Sequence, residues 1–280
     1  MTIDRKTIRR IINAALDEDI GKGDITSETV IPVDAGFAGA ITARQDLVVA
    51  GIGFSLEAFH MTADRMAKEI TVDILINDGD RVTAGTELAR IEGNAWALLA
   101  AERTALNLLQ HLSGIATLTR TYADAIEGTG AVLLDTRKTI PGLRDMAKYA
   151  ARMGGAENHR LRLDSGILIK DNHIAAAGGI AIAVARAKNI GIVDIEVECD
   201  TLNQVEEAIT AGADAVLLDN MDMETLRRAA TLTKGRCRTE ASGGITLENI
   251  RAVAETGVNY ISVGRITHSA PAVDIGLDRR

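Results

Sequence analysis

From Ala131 onward the chain repeats one unit. Six short apolar runs, AVLLD, ILIKD, DIEVEC, DAVLLD, RCRTEAS and NYISVG, end near residues 135, 170, 198, 219, 241 and 264, the later ones 21 to 28 residues apart. A strand of roughly five residues followed by a helix of roughly twelve fills such an interval, so the pattern is that of βα units, which build a parallel sheet. Runs this continuously apolar suit strands covered on both faces. A closed eight-stranded barrel takes about 200 residues or more. Ala131 to Thr267 is shorter, and six or seven strands in an open barrel are expected.

The preceding residues have a different texture. Ile8, Ile11, Ile12 and Ala15 follow helical spacing and stop at Gly21-Lys22-Gly23. The next segment, GDITSE, reads as a loop or cap. Between Gly39 and Glu92, strand-like runs (Ala40 to Ala43, Leu47 to Ala50, Ile70 to Ile76, Glu87 to Ile91) surround one helical segment near Phe54 to Ala67, an α+β pattern. DGDRVTAGTELARIEG resembles the turn-rich strands of biotinyl and lipoyl carriers, but no modifiable lysine stands at a hairpin tip, so it reads as plain β-structure and only secondarily as a carrier or docking module. A long helix should run from Asn94, a good N-cap, to about Ser113. Glu102 and Arg103 are its only charges between Gly93 and Arg120. They pair with each other, or Arg103 meets an interface or ligand.

The whole chain has 280 residues, enough for two domains. Its formal charge of −8 and pI near 5.2 oppose coating nucleic acid or an anionic membrane. The longest uncharged stretches, Thr104 to Thr119 and Asn172 to Ala185, fall short of the roughly 20 apolar residues a membrane span needs. MTIDRKTIRR lacks the apolar core of a signal peptide. Cys199 and Cys237, read as structural thiols in buried strands, suit a reducing compartment. The reading is a soluble, cytoplasmic protein.

Barrels of this kind carry their chemistry at strand C-termini. Here those ends hold Asp135-Thr136-Arg137-Lys138, Lys170-Asp171-Asn172-His173, Glu196-Val197-Glu198, Asp219-Asn220, Ser242-Gly243-Gly244 and Gly264-Arg265. Arg137 to Lys170 carries a local balance of +5, which leaves the rest of the chain at −13. Asn158-His159-Arg160 and Lys138 are donors for carboxylates or phosphates. Arg144, Lys148 and Arg152, at helical spacing, read as a solvated helix face. The glycine turns after the last two strands suit a phosphate held by backbone N–H groups. Glu198 and Asp219 suit either Mg²⁺ beside phosphates or internal pairing with Lys138 or Lys170. Together these residues point to transfer involving a phosphorylated, pyrophosphate-bearing substrate.

Through GDITSE, AERTALNLLQHLSGIAT, DTRKTIPGLR, NHR, LIKDNHI, LLDN, SGGIT and THSAPAVDIGLD, in order, the chain resembles the quinolinate phosphoribosyltransferase family over nearly its whole length. The resemblance implies an N-terminal α/β sandwich-like domain (1–112, completed by 269–280) and an open, seven-stranded, TIM-like α/β barrel (113–268). It implies decarboxylating transfer of phosphoribose to quinolinate for NAD synthesis, in a homodimer or larger assembly with shared sites. Arg103 would reach a neighbour's site. There Arg137, His159 and Arg160 would hold the diacid, and Lys138 and Lys170 would bridge it to phosphoribosyl pyrophosphate. Glu198 and Asp219 would serve the ribose hydroxyls and Mg²⁺, and Ser242, Gly243, Gly244 and Gly264 the 5′-phosphate. The catalytic set would be Lys138, Lys170, Glu198 and Asp219.

Three positions depart from the family pattern: Gly154-Gly155-Ala156 before NHR, Arg162 where glycine is common, and Arg265 where a small residue is frequent. Two alternatives remain open. One is a molybdenum-transport-associated phosphoribosyltransferase-like protein, which shares DTRKT. The other is a Schiff-base lyase, if burial makes Lys170 nucleophilic.

Overall fold

The computed structural model describes residues 3–191 and 194–280. It forms two compact units, one of residues up to Arg120 with Thr139–Gly154 and Thr267–Arg280, the other of Thr121–Lys138 and Gly155–Ile266.

In the first unit, α1 (Arg5–Ile20) buries Ile12 and Leu16, starts at Asp4, which accepts the Thr7 N–H, and ends at Gly21. Asp24 then caps α2 (Ile25–Val30), so the segment expected as a loop or cap also contains a helical turn. β1 (Gly36–Ala43), β2 (Leu47–Val48), α3 (Ile52–Met66), β3 (Ile70–Ile74), β4 (Arg81–Val82) and β5 (Glu87–Asn94) follow. Antiparallel pairing gives the order β12-β1-β5-β3, in which β12 (Ile275–Arg279) comes from the end of the chain and pairs Ile41 with Leu277.

α4 (Ala95–Ala125) is 31 residues long and runs well past Ser113. Ser113 does not break it, because its hydroxyl bonds back to the Ala50 N–H and carbonyl. Gly114 is there for space, since a Cβ would lie 2.1 Å from the Pro271 carbonyl oxygen. Arg103 is exposed, so it is not held in the core by Glu102.

α5 (Arg144–Met153) belongs to the same unit and overturns the solvated-face reading of Arg144, Lys148 and Arg152. Lys148 is fully buried, Arg144 and Arg152 are half-buried, and the Arg152 guanidinium lies over the Tyr149 ring. Tyr149 donates to Asp78 Oδ2 at 2.6 Å while Asp78 Oδ1 accepts the Ile52 N–H, so the helix is packed through its charged side as well as its apolar one.

The second unit is the parallel sheet. β6 (Val132–Leu134), β7 (Ile167–Ile169), β8 (Ile195–Cys199), β9 (Ala215–Asp219), β10 (Arg238–Ser242) and β11 (Tyr260–Ser262) take the order β6-β11-β10-β9-β8-β7. The edges β6 and β7 are not paired with each other, which leaves the barrel open; a one-residue parallel bridge, Leu134 to Glu157, adds to β6 where a seventh strand would stand. Between the strands come α6 (Asp171–Ala177), α7 (Ile180–Asn189), α8 (Leu202–Ala211), α9 (Met223–Thr233) and α10 (Ile250–Ala254), then α11 (Arg265–His268).

Alternation along the strands sorts the side chains. Val197, Val216 and Leu218 are fully buried with Val205, Ala208 and Ala229 of the helix layer, each larger side chain stabilising by roughly 1.5–3 kcal/mol. The other parity carries the polar set. Register places Glu198 and Glu240 on either side of Leu217 across β8, β9 and β10, and Lys170 follows the last residue of β7. Cys199 is buried in β8, whereas Cys237 is half-buried one residue before β10 rather than within a buried strand.

Candidate functional site

The site begins at Asp135, the residue after β6. Its fully buried carboxylate accepts Asn158 Nδ2 at 2.6 Å and the His159 backbone N–H at 2.9 Å. The bridge next to it, Asp135 N–H to the Glu157 carbonyl and Glu157 N–H to the Leu133 carbonyl, fixes the same loop through its backbone. Asn158, His159 and Arg160 are thus seated against the end of β6, close to Arg137.

That closeness has an electrostatic signature. Burial and then the Arg137 charge hold the Arg160 pKa below the usual guanidinium value. Two like charges that feel each other in this way favour an anionic ligand between them. Arg160 Nη1 also donates to the Gly166 carbonyl at 3.2 Å, which anchors one edge of its fork.

His159 points into the barrel. Its Nε2 lies 3.2 Å from Glu196 Oε2 and 3.3 Å from Glu240 Oε2. Burial opposes the charged ring, but hydrogen bonds and charge from both carboxylates outweigh it and raise its pKa to about 9. The Arg160 N–H donates to Nδ1 at 2.7 Å, which leaves Nε2 as the protonated nitrogen in this geometry and works against the charged ring. Glu196 is in turn pushed up by its burial and by Glu240.

Across the sheet, Lys170 Nζ donates to Glu198 Oε2 in a close ion pair, which selects the internal-pairing option for Glu198 in this state. Lys170's side chain is 44 % exposed. A charged, half-exposed amine held by a carboxylate is the reverse of the apolar burial that the Schiff-base reading requires. Asp219 ends β9 and accepts Asn220 Nδ2 at 2.7 Å. The Asn220 N–H donates to the Ser242 carbonyl, joining two strand ends. Gly243 then has φ +83°, and a Cβ there would stand 2.2 Å from Asn220 Oδ1, so any other residue would strain the turn and push the Asn220 side chain aside. Ser262 Oγ donates to Ser242 Oγ at 3.1 Å.

Arg137, Lys138, His159, Arg160, Lys170, Glu198, Asp219 and Ser242 line one cavity of about 320 Å³ at the C-terminal ends of the strands. Gly243 and Gly244 follow β10 and Gly264 follows β11 at the same end. Arg103 is exposed on α4 and belongs to the first unit. The sequence reading passed over Glu240 and valued Glu196 only as a strand end. Strand parity was the available signal, since Glu196 shares it with Glu198 and Glu240 with Ser242.

Comparison with known proteins gives a consistent picture. Residues 24–113 match the family described as quinolinate phosphoribosyl transferase, N-terminal domain, and residues 115–278 its C-terminal domain. The chain is 44% identical over 273 residues to the "Probable nicotinate-nucleotide pyrophosphorylase (carboxylating)" of Bacillus subtilis (strain 168), spanning 97% of this chain and 93% of that protein. It is 41% identical to the nicotinate-nucleotide pyrophosphorylase (carboxylating) of Mycobacterium leprae (strain TN), over 98% and 96% of the two chains. The solved structure of the Francisella tularensis nicotinate-nucleotide pyrophosphorylase superposes with a TM-score of 0.95 at 38% identity, covering 100% of this chain and 98% of that one.

Proposed function

Because the chain belongs to the quinolinate phosphoribosyltransferase family through both of its domains, we propose that it transfers phosphoribose to quinolinate, releasing pyrophosphate and CO₂ and forming nicotinate mononucleotide for de novo NAD synthesis. The observation that carries this reading is the crowding of Arg137, Lys138, Arg160 and Lys170 onto one cavity with Glu198 and Asp219. Such a site suits two anionic substrates, one a diacid and one a pyrophosphate ester. The molybdenum-transport-associated alternative is not favoured, since the matched families and relatives are those of quinolinate transfer.

Arg137, His159 and Arg160 bind the two carboxylates and fix the ring. Lys138 and Lys170 lie between diacid and pyrophosphate, where they offset the charge that develops as the leaving group departs. The Gly243-Gly244 turn and Gly264, with Ser242, offer N–H and hydroxyl donors to the 5′-phosphate. The pyridine nitrogen attacks ribose C1 while the C1–oxygen bond to pyrophosphate breaks; the bond from C2 to its carboxylate then breaks, CO₂ leaves, and the electron pair left on C2 takes up one proton from solvent.

Glu198 and Asp219 are the residues that would hold Mg²⁺. Their hard oxygen donors fit an ion that is usually bound by one or two carboxylates together with substrate phosphates. When bound, the ion would supply neutralising charge to the pyrophosphate. Arg103, exposed on α4, is assigned to the site of a neighbouring subunit in a homodimer or larger assembly. The cytoplasm, with its reduced thiols, is the proposed compartment.

The test is an omission assay with quinolinate, phosphoribosyl pyrophosphate and Mg²⁺, followed chromatographically for nicotinate mononucleotide with nicotinate as a parallel acceptor. Product that needs all three components and does not form from nicotinate supports the reading. No product from folded protein rejects it.

A further inference from the structure

Asn220, at φ +53°, follows Asp219, which lines the cavity at the C-terminal ends of the strands. Asparagine is among the few residues besides glycine that enter this left-handed region, and residues held there gather at functional sites. Along an extended strand, consecutive side chains point to opposite faces. The left-handed backbone at Asn220 breaks that alternation and lets its amide turn back on the preceding residue, where Nδ2 donates to Asp219 Oδ2 at 2.7 Å. This is the only hydrogen bond of the Asp219 side chain among the described residues. A carboxylate only accepts, so the amide nitrogen faces Asp219 and the amide oxygen faces the turn after β10, where a Cβ on Gly243 would lie 2.2 Å from Asn220 Oδ1. The Asn220 N–H donates to the Ser242 carbonyl at 2.9 Å. One residue thus touches the carboxylate that ends β9 and, through two other groups, the glycine turn that follows β10.

We propose that Asn220 is a positioning residue for phosphoribosyl pyrophosphate, holding the carboxylate that serves the ribose hydroxyls in place relative to the turn that receives the 5′-phosphate. The inference rests on the function proposed above. The ribose hydroxyls and the 5′-phosphate belong to one small molecule, so two strand ends free to shift against each other would have to be ordered when it binds, at a cost in affinity. With Asn220 in place that ordering is complete on folding. Quinolinate, assigned to Arg137, His159 and Arg160 beyond the end of β6, gains nothing from it.

Asn220→Gly isolates the amide, because glycine keeps the left-handed backbone and the N–H to Ser242. Calorimetric titration with phosphoribosyl pyrophosphate and Mg²⁺ should show a Kd raised about tenfold, the share of one hydrogen bond to a charged group, while the Kd of quinolinate stays at the wild-type value. Asn220→Ala gives a second variant without the amide and should show the same loss. In an Asp219→Ala background Asn220→Gly should cause no further loss, since the carboxylate it positions is gone. Wild-type affinity for phosphoribosyl pyrophosphate in both Asn220 variants, an equal loss for quinolinate, or the same loss with and without Asp219 overturns the assignment, and formation of nicotinate mononucleotide by the wild type then leaves the proposed function standing. Folded wild-type protein that binds neither ligand and forms no product overturns both.

Discussion

The buried carboxylate of Asp135 holds the backbone N–H of His159 at 2.9 Å, so a residue with no exposed surface sets where the Asn158-His159-Arg160 segment lies. The same carboxylate takes Asn158 Nδ2. Replacing it with alanine removes the acceptor of two half-buried donors, at about 1 kcal/mol each. Asp135→Ala should lower the denaturant midpoint and, in the surviving folded fraction, raise KM for quinolinate more than for phosphoribosyl pyrophosphate. Unchanged stability would show that the loop is held by other contacts.

Gly243 combines a positive φ with a would-be Cβ only 2.2 Å from Asn220 Oδ1. Gly243→Ala therefore strains the turn by about 1 kcal/mol or more and displaces Asn220 from between Asp219 and Ser242. Thermal unfolding should report a modest loss, and steady-state kinetics a marked rise in KM for phosphoribosyl pyrophosphate. Equal effects on both substrates would remove the turn from the phosphate site.

Glu198 is paired to Lys170. Glu198→Gln keeps the shape but removes the charge, both toward Lys170 and toward any Mg²⁺. Use of phosphoribosyl pyrophosphate should suffer much more than quinolinate binding, as measured by titration of each ligand. Parallel losses would contradict the division of roles.

The exposed Arg103 predicts a shared site. Arg103→Ala and Lys138→Ala proteins, each nearly inactive alone, should regain activity when mixed under conditions of subunit exchange, because a hybrid dimer contains one site with both residues intact. Proven exchange without recovery would refute the assignment.

His159 gives a pH prediction with a definite sign. Its folded pKa, about 9, lies above the unfolded value near 6.5. The stability this supplies is fully present below about pH 6.5 and is lost as pH rises through 9. Urea midpoints should fall across that window in the wild type and fall less in His159→Gln. Identical profiles would mean the ring is not charged in the folded protein.

Much of this was legible in the sequence because it depends on local pattern. The six apolar runs became the six parallel strands, and their loaded C-terminal ends converge on one cavity. Other features depend on tertiary context. Ser113-Gly114 looks like a helix stop until the neighbouring backbone, which Ser113 bonds and Gly114 admits, is known. Lys148 lies on what looks like a solvated stripe, and only the packing of its helix within the first unit explains its burial. Glu240 sits in a run without obvious chemistry, RCRTEAS, and gains significance from facing the ring of a residue 81 positions earlier in the chain.

The most direct measurement uses quinolinate labelled in turn at its 2-carboxylate and its 3-carboxylate, with CO₂, pyrophosphate and nicotinate mononucleotide quantified from one reaction. The account predicts label from the 2-carboxylate wholly in CO₂, label from the 3-carboxylate wholly in the nucleotide, and equal yields of all three products. Pyrophosphate without CO₂, or label from the 3-carboxylate in the gas, would contradict it.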